Sequence, residues 1–131
     1  VAMGQLGNSG GQKFWSWYGF ESRVEWCACF ASWCAEQSGM VASGQVLKFS
    51  SCAVGASWFQ GQGRWKGKGY TPSAGDFIFF DWNKDGQVDH VGIVVNVANG
   101  RVNTIEGNTS NMVARRSYQF GGIVIVGYGY I

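Results

Sequence analysis

One histidine and four cysteines are the side chains of this sequence best suited to nucleophilic chemistry. Cys27 lies in the segment Val24 to Gly39, which reads VEWCACFASWCAEQSG. His90 opens the most apolar predicted strand, in the segment DHVGIVV. Neutral imidazole is the usual base for a thiol, and a thiol near a helix N-terminus is favoured as the thiolate. Cys27 and His90 are therefore a candidate nucleophile and base, although a free cysteine is more often a small buried hydrophobic residue.

Two polar residues at the end of the following predicted strand are candidates for orienting the imidazole. Glu106 closes that strand in the segment TIEGN, and Asn108 follows two residues later. A carboxylate or amide beyond an imidazole fixes its tautomer and orientation. A cysteine with a distant histidine and Asn or Glu is by itself a weak pattern, and it is more often structural than catalytic. The uniqueness of His90 and the position of both partners at strand ends favour the catalytic interpretation.

A helix is predicted to carry Cys27. Trp26, Phe30, Trp33 and Gln37 recur at the spacing of one helical face. The first three are large aromatic residues, so this face should be buried. Gly39 is a plausible end of the helix, because glycine readily adopts the left-handed conformation found there.

The start of this helix is left open by the sequence. Ser22 to Glu25 (SRVE) matches a capping box and would start the helix at Ser22. That start would place Cys27 in the second turn, where the helix dipole has little effect. A start nearer Glu25 would stabilise a thiolate better.

An acidic segment just before His90 resembles a calcium-binding loop. DWNKDGQVD matches the first nine positions of such a loop, but Gly92 replaces the Glu expected at position 12. A polar hairpin turn at Lys84-Asp85-Gly86 is the simpler alternative. No cofactor is expected to be required, and calcium, if it binds, should bind weakly. Its oxygen ligands would be Asp81, Asn83, Asp85, Gln87 and Asp89.

Composition and charge exclude several classes of protein. With 46% hydrophobic and 14% charged residues, the sequence is that of one globular domain over residues 1–131. The net charge of +2 is too small to indicate a nucleic-acid partner. No apolar run approaches the ~20 residues of a membrane span. The sequence shows no signal peptide, and we expect it to be one domain of a longer secreted protein. We also expect the domain to be a monomer.

The cysteines do not have the paired spacing of a zinc site. Cys34 and Cys52 could form a disulfide in an extracellular protein, but the sequence does not decide this. Cys29 is interpreted as a packing residue, because two positions after Cys27 it faces another part of the helix.

The predicted fold class is α+β, with helices first and an antiparallel meander second. Short helices are expected near Val1 to Leu6 and over Ser51 to Gln60, with an aromatic loop at 14–20. The predicted strands are rich in β-branched and aromatic residues. They are Phe77 to Trp82, Val88 to Val97, Arg101 to Glu106, Met112 to Tyr118 and Ile123 to Tyr130.

Three segments together resemble the CHAP domain, a papain-like family of cysteine amidohydrolases and peptidases. They are WCACFASWC, GDFIFFDWNKDGQVDHVGIV and IEGNTSN, and they occur in the order and spacing of the family. The resemblance implies that Cys27 is the nucleophile, His90 the general base, and Glu106 with Asn108 the orienting groups. It also implies a papain-like fold in which helices carrying Cys27 pack on an antiparallel sheet of about five or six strands.

The same resemblance implies a substrate and a location. The substrate would be bacterial peptidoglycan, cut at an amide bond of the stem peptide, its cross-bridge or its junction with muramic acid. The protein would be secreted or act in the bacterial cell wall, and a phage or mobile element could encode it. A non-catalytic wall-binding or calcium-binding module is the alternative. Specificity is expected in groove loops such as Gly61 to Tyr70.

The turn at Asn99-Gly100 decides whether His90 and Glu106 can cooperate. A regular two-residue hairpin would place these two side chains on opposite faces of the sheet. A three-residue loop, or a bulge with the same effect on parity, would set Gly92 opposite Glu106 and put both functional side chains on one face. Because catalysis needs His90 and Glu106 on the same face of the sheet, we predict the three-residue loop or the bulge.

Overall fold

The structure, a computed structural model, describes residues 1–131. A short 3-10 helix at Ala2–Gln5 confirms the first predicted helix. Three α-helices follow, and they are α1 (Gln12–Tyr18), α2 (Cys27–Gln37) and α3 (Cys52–Gly61). The strands are β1 (Trp65–Gly67), β2 (Phe77–Phe80), β3 (His90–Ala98), β4 (Arg101–Thr109), β5 (Met112–Gln119) and β6 (Ile125–Gly129).

The six strands form one sheet in the order β1-β6-β2-β3-β4-β5, with every neighbouring pair antiparallel. The α+β class is confirmed, and β2 to β5 form the predicted meander. The last strand departs from it, because β6 crosses to the other side of β2. β1, which the sequence did not predict, lies at the sheet edge within the expected groove loop of residues 61–70.

Helix α2 is buried on two sides and packs on β3 and β4. Its aromatic side contains the fully buried Trp26 and Phe30, while Trp33 is half-buried and Gln37 is exposed. Its other side consists of alanines that pack against Phe77, Phe79 and Val91 of the sheet and Phe49 and Phe59 beyond it. Small side chains allow the helix to approach the sheet closely, so the first residue of α2 reaches the sheet surface.

The aromatic loop predicted at 14–20 is wrong, because residues 12–18 form helix α1. Phe14 is fully buried and stacks on Trp26 with ring centroids 5.6 Å apart. It also meets Phe30 edge-on at 5.0 Å. Burial of this ring between α1 and α2 stabilises a short helix that the local pattern does not predict.

The capping-box start at Ser22 is also wrong. Helix α2 begins at Cys27, with Trp26 as its N-cap. The Glu25 carboxylate accepts a hydrogen bond from the Asn108 side chain of β4 rather than from a backbone N–H of its own turn. A tertiary contact has therefore replaced the local cap, and Cys27 occupies the first helical position.

The hairpin between β3 and β4 has the two-residue turn, so the predicted three-residue loop is wrong. Ala98 pairs with Arg101, and both turn residues have positive φ (54° at Asn99 and 73° at Gly100). This is the backbone of the type I′ turn that Asn-Gly favours.

The predicted alternative, a bulge that changes parity, is confirmed. The register shifts between Val94 and Asn96, and beyond the shift Ile93 pairs with Ile105. Continuing that register sets Gly92 opposite Glu106. The bulge therefore brings the side chains at the start of β3 and the end of β4 onto one face.

No helix in the structure has the length and hydrophobicity of a membrane span.

Candidate active site

Cys27 is the first residue of α2, and only 4% of its surface is exposed. The pKa of its thiol lies well below the usual value, chiefly because the Cys52 thiol donates a hydrogen bond to it. Burial opposes this shift. The hydrogen bond and the positive charge of His90 favour it, and so does a hydrogen bond from the backbone of Val91. The N–H groups in the first turn of a helix also favour negative charge there. These contacts favour the thiolate form of Cys27.

The other thiols differ sharply from Cys27. Burial raises the pKa of Cys29 to about 11 and that of Cys34 to about 12. All four cysteines are free, so the disulfide considered between Cys34 and Cys52 is not formed. Cys34 packs with the aromatic cluster around Phe14, whereas Cys52 lies beside Cys27.

His90 is the first residue of β3 and is nearly buried. Its Nε2 lies 2.7 Å from Oε1 of Glu106. The other ring nitrogen, Nδ1, is therefore the one available for the hydrogen bond with Cys27. Burial alone would lower the pKa of the imidazole, but hydrogen bonds with Cys27 and Glu106 and their negative charges raise it to about 9. At neutral pH these shifts favour a thiolate at Cys27 and an imidazolium at His90, the combination in which a thiol is most reactive.

Glu106 is fully buried in β4 and accepts three hydrogen bonds. Besides His90, its donors are the Thr104 hydroxyl at 2.5 Å and the Tyr118 hydroxyl at 2.7 Å. Burial and the neighbouring carboxylate raise the pKa of Tyr118, so this hydroxyl keeps its proton and remains a donor. Three hydrogen bonds that converge on one buried carboxylate fix its position.

Gly92 makes room for this arrangement. A Cβ on Gly92 would lie 2.6 Å from Cγ of Glu106, a distance that real contacts do not reach. Only glycine therefore allows the Glu106 side chain to lean across β3 towards the imidazole.

Gly92→Ala is expected to displace the Glu106 carboxylate from His90 and to destabilise the fold by about 1–3 kcal/mol, because it overpacks a buried contact. Gly67→Ala in β1 is the matched control, since a Cβ there meets nothing within 4 Å. Denaturant unfolding and hydrolysis assays on both variants would measure the effects. Wild-type stability and activity in Gly92→Ala would show that Glu106 does not need this space.

Asn108 is not hydrogen-bonded to His90, so the structure does not support its predicted orienting role. Its amide oxygen accepts a hydrogen bond from Arg23 at 2.8 Å, and its amide nitrogen donates to Glu25. Both partners lie in the segment just before α2. Asn108 instead ties the end of β4 to the segment that leads into the nucleophile.

The predicted calcium loop folds around backbone hydrogen bonds. Asp81 accepts from the N–H groups of Asp85 at 3.3 Å and Gly86 at 2.9 Å, and Asp89 accepts from Trp82 at 3.0 Å. Asn83, Asp85 and Gln87 are exposed. No group of three or more His, Cys, Asp or Glu side chains is arranged to hold a metal ion. Two of the five proposed ligands, Asp81 and Asp89, are thus bonded to the loop's own backbone in this conformation, which favours the hairpin-turn alternative.

Calcium is therefore expected to leave the thermal stability of the protein unchanged. The measurement is a pair of thermal melts, one in millimolar calcium and one with excess chelator, with magnesium as the control ion. Superimposed transitions are expected, because an ion that does not bind the folded state cannot stabilise it. A midpoint that rises with calcium alone would show that the five proposed ligands rearrange into a site.

Sequence reasoning missed three residues that line this site. Cys52 contacts Cys27 from the start of α3, and Tyr118 donates a hydrogen bond to Glu106 from β5. Trp82, 42% exposed, stacks on Phe80 and has its ring centroid 5.5 Å from that of His90. The only sequence signal for Trp82 was its place within the segment that precedes His90.

Comparison with known proteins gives a family and a fold. The model of the CHAP domain matches residues 17–108, which is more than half of the chain. A structure of Ly7917 is 19% identical, with a TM-score of 0.58, and the match covers 97% of this chain and 58% of that one. A second, of Ly7917 with the hydrolyzing product of MDP, is 22% identical, with a TM-score of 0.52 and coverages of 78% and 52%.

These two structures show the same fold, and the chain spans little more than half of their length. No curated protein sequence matches the chain. The family match includes both Cys27 and His90, and it extends through Glu106 to Asn108. The chain belongs to the CHAP domain family.

Proposed function

We propose that this domain hydrolyses an amide bond of bacterial peptidoglycan through a Cys27 thioester. The observation that carries the proposal is the connected row of Cys27, His90 and Glu106, in which the imidazole lies 2.7 Å from a buried carboxylate and beside a thiolate. Membership of the CHAP family supports it. So does the solved structure of Ly7917 with the hydrolyzing product of MDP.

The first half of the reaction forms the thioester. The Cys27 thiolate attacks the carbonyl carbon of the amide and gives a tetrahedral oxyanion. The His90 imidazolium then transfers its proton to the amide nitrogen, so that the C–N bond breaks and the amine leaves. Glu106 stabilises the imidazolium before transfer and keeps the ring oriented afterwards.

The second half returns the enzyme to its starting state. Neutral His90 takes a proton from water as the water oxygen attacks the thioester carbonyl. The tetrahedral intermediate collapses, releases the carboxylic acid product and restores the Cys27 thiolate beside the imidazolium. One water is consumed for each amide bond that is cut.

The start of α2 can stabilise the oxyanion. The first hydrogen bond of the helix runs from the N–H of Phe30 to the carbonyl of Trp26. The N–H groups before Phe30 therefore have no partner within the helix. Those of Cys27 and Ala28 lie next to the attacking sulfur, and unpaired donors at this position favour a developing negative charge.

The bond that is cut defines two forms of the proposal, an endopeptidase of the stem peptide or cross-bridge and a muramoyl-alanine amidase. Both forms use the same three side chains, Cys27, His90 and Glu106. In either form the domain would act on the cell wall as a monomer. A non-catalytic wall-binding module has no need of a thiolate, an imidazolium and a buried carboxylate in contact.

Purified bacterial walls incubated with the protein provide the test. Mass spectrometry of the released muropeptides is expected to show new amine and carboxyl ends at one type of amide bond, and the type identifies the activity. Cys27→Ala protein serves as the control. Walls that release no fragment with folded wild-type protein, under conditions where Cys27 is reduced, would contradict the proposal.

A further inference from the structure

Cys52 is a second buried thiol at the active site for which the proposed hydrolysis has no chemical step. It is the first residue of α3, and its Sγ lies 3.3 Å from Sγ of Cys27. Only 8% of Cys52 and 4% of Cys27 is exposed, so the two sulfurs face each other with little solvent between them. No other pair of cysteine sulfurs in the chain is in such contact.

We propose that Cys52 is a resolving thiol that converts oxidised Cys27 into a reversible Cys27–Cys52 disulfide. The inference rests on the proposed function only in its consequence, which is that the disulfide switches hydrolysis off. The oxidant is hydrogen peroxide or another two-electron peroxide, and the reductant that restores the enzyme is a dithiol.

The first step oxidises the more reactive sulfur. The Cys27 thiolate attacks one oxygen of hydrogen peroxide, the O–O bond breaks, and Cys27 becomes a sulfenic acid while hydroxide leaves. The thiolate form is the one that reacts, and Cys27 is the one cysteine of the four whose pKa is lowered. Oxidation should therefore begin at Cys27.

The second step joins the two sulfurs. Cys52 sulfur attacks the sulfenic sulfur of Cys27, the S–O bond breaks, and the departing hydroxide takes the Cys52 proton and leaves as water. Overall, one thiolate, one thiol and one peroxide give one disulfide, one water and one hydroxide, and the hydroxide becomes a second water by taking the proton of the His90 imidazolium. The sulfurs already lie 3.3 Å apart, so a small movement at the two helix starts suffices.

The environment of Cys52 changes in favour of this step once Cys27 is oxidised. In the reduced enzyme, its hydrogen bond to the Cys27 thiolate raises the pKa of Cys52 most, and burial and the Cys27 charge raise it further. A neutral sulfenic acid removes both effects of the Cys27 charge. The thiol that was held protonated in the active enzyme then becomes a better nucleophile.

The other thiols are poorly placed to compete. Cys29 and Cys34 pack in the aromatic cluster on the other side of α2, with Phe14 and Trp26. Without Cys52, peroxide would carry Cys27 on to the sulfinic acid, which dithiols do not reduce. Cys52 would thus keep oxidative inactivation reversible.

The test exposes reduced wild-type protein to hydrogen peroxide and then measures intact mass and maps non-reduced peptides. The expected result is a loss of the mass of two hydrogen atoms and a peptide pair linked through Cys27 and Cys52, both reversed by dithiothreitol. Wild-type protein that instead gains oxygen atoms at Cys27, or that links Cys27 to Cys29, would overturn the proposal.

Variants give a second, independent readout. Cys52→Ser is expected to gain two or three oxygens at Cys27 under the same exposure, with no recovery of the thiol after dithiothreitol. Cys34→Ser, a buried thiol away from the site, should form the disulfide as the wild type does. Equal recovery of Cys52→Ser and wild type would overturn the role of Cys52. If Cys52→Ser does not fold, the peptide map of the wild type still decides.

Hydrolysis assays on the same samples separate the two proposals. Activity that disappears with disulfide formation and returns with dithiothreitol supports the switch. A disulfide in a protein that never hydrolyses walls would overturn the proposed function and support the sulfur chemistry. Wall hydrolysis by a protein that forms no disulfide after exposure to peroxide would overturn the resolving role of Cys52 and support the proposed function.

Discussion

Cys27→Ala and Cys27→Ser are both expected to reduce wall hydrolysis by on the order of a thousandfold or more, while leaving the fold intact. In the proposed mechanism the Cys27 thiolate forms the covalent intermediate, and removal of such a nucleophile removes most of the catalytic effect. Serine is not an effective replacement, because its hydroxyl is not ionised by the neighbouring imidazole as the thiol is. Release of soluble muropeptides measures activity, and a thermal melt checks the fold.

Cys29→Ser is the matched control for this prediction. Cys29 lies on the same helix and is fully buried, but burial raises the pKa of its thiol to about 11 and it packs away from His90. The variant should retain much of the activity. Loss of hydrolysis in Cys29→Ser, with hydrolysis retained in Cys27→Ser, would mean that the wrong thiol has been assigned.

His90→Ala is expected to lower kcat/KM by about 10²–10⁴-fold, which is the usual contribution of a general acid–base group. The pH–activity profile of the wild type should show the titration of His90. In the proposed mechanism the imidazolium protonates the leaving amine, and the pKa of His90 is raised to about 9. The activity should therefore persist above neutral pH and fall as the pH rises through about 9, because the imidazolium then loses its proton.

The same alkaline limb should be absent from the residual activity of His90→Ala. No second histidine exists to replace it, since the chain contains only one. A variant with the same limb, or with activity within a few-fold of the wild type, would show that another group donates the proton.

The sequence predicted Cys27, His90 and Glu106 as partners because the chain has one histidine and each of the three lies near the end of a predicted element. The only histidine lies at the start of an apolar strand, and Glu106 lies at the end of the next one. Side chains alternate between the two faces of a sheet, so His90 and Glu106 could share a face only if the pairing register shifted by one residue. This requirement predicted a bulge but not its position. The observed shift falls at Val94 to Asn96, where β-branched residues read as ordinary strand.

Features that depend on tertiary contacts were beyond sequence reasoning. The capping-box pattern at Ser22 is local, but Glu25 is bound to Asn108 on β4, and the helix starts later. Asn108 lies near the histidine in register, yet its amide is bound to Arg23 and Glu25 instead.

Cys52 shows the same limit more strongly. It is 25 residues from Cys27 in sequence, and nothing in its own segment marks it as a neighbour of the nucleophile. The contact arises because α2 and α3 begin at the same place in the fold. Only the packing of the two helix starts on the sheet brings the sulfurs together.

The proposed chemistry depends on a Cys27 thiolate that the Cys52 thiol and the His90 imidazolium stabilise. The rate of its alkylation by iodoacetamide as a function of pH, resolved for each cysteine by peptide mass spectrometry, tests this most directly. Rapid labelling of Cys27 alone is expected at mildly acidic pH, and labelling at that pH should be slower in His90→Ala. A Cys27 rate that rises only near the ordinary thiol pKa of about 8.5, and that is unchanged in His90→Ala, would contradict it.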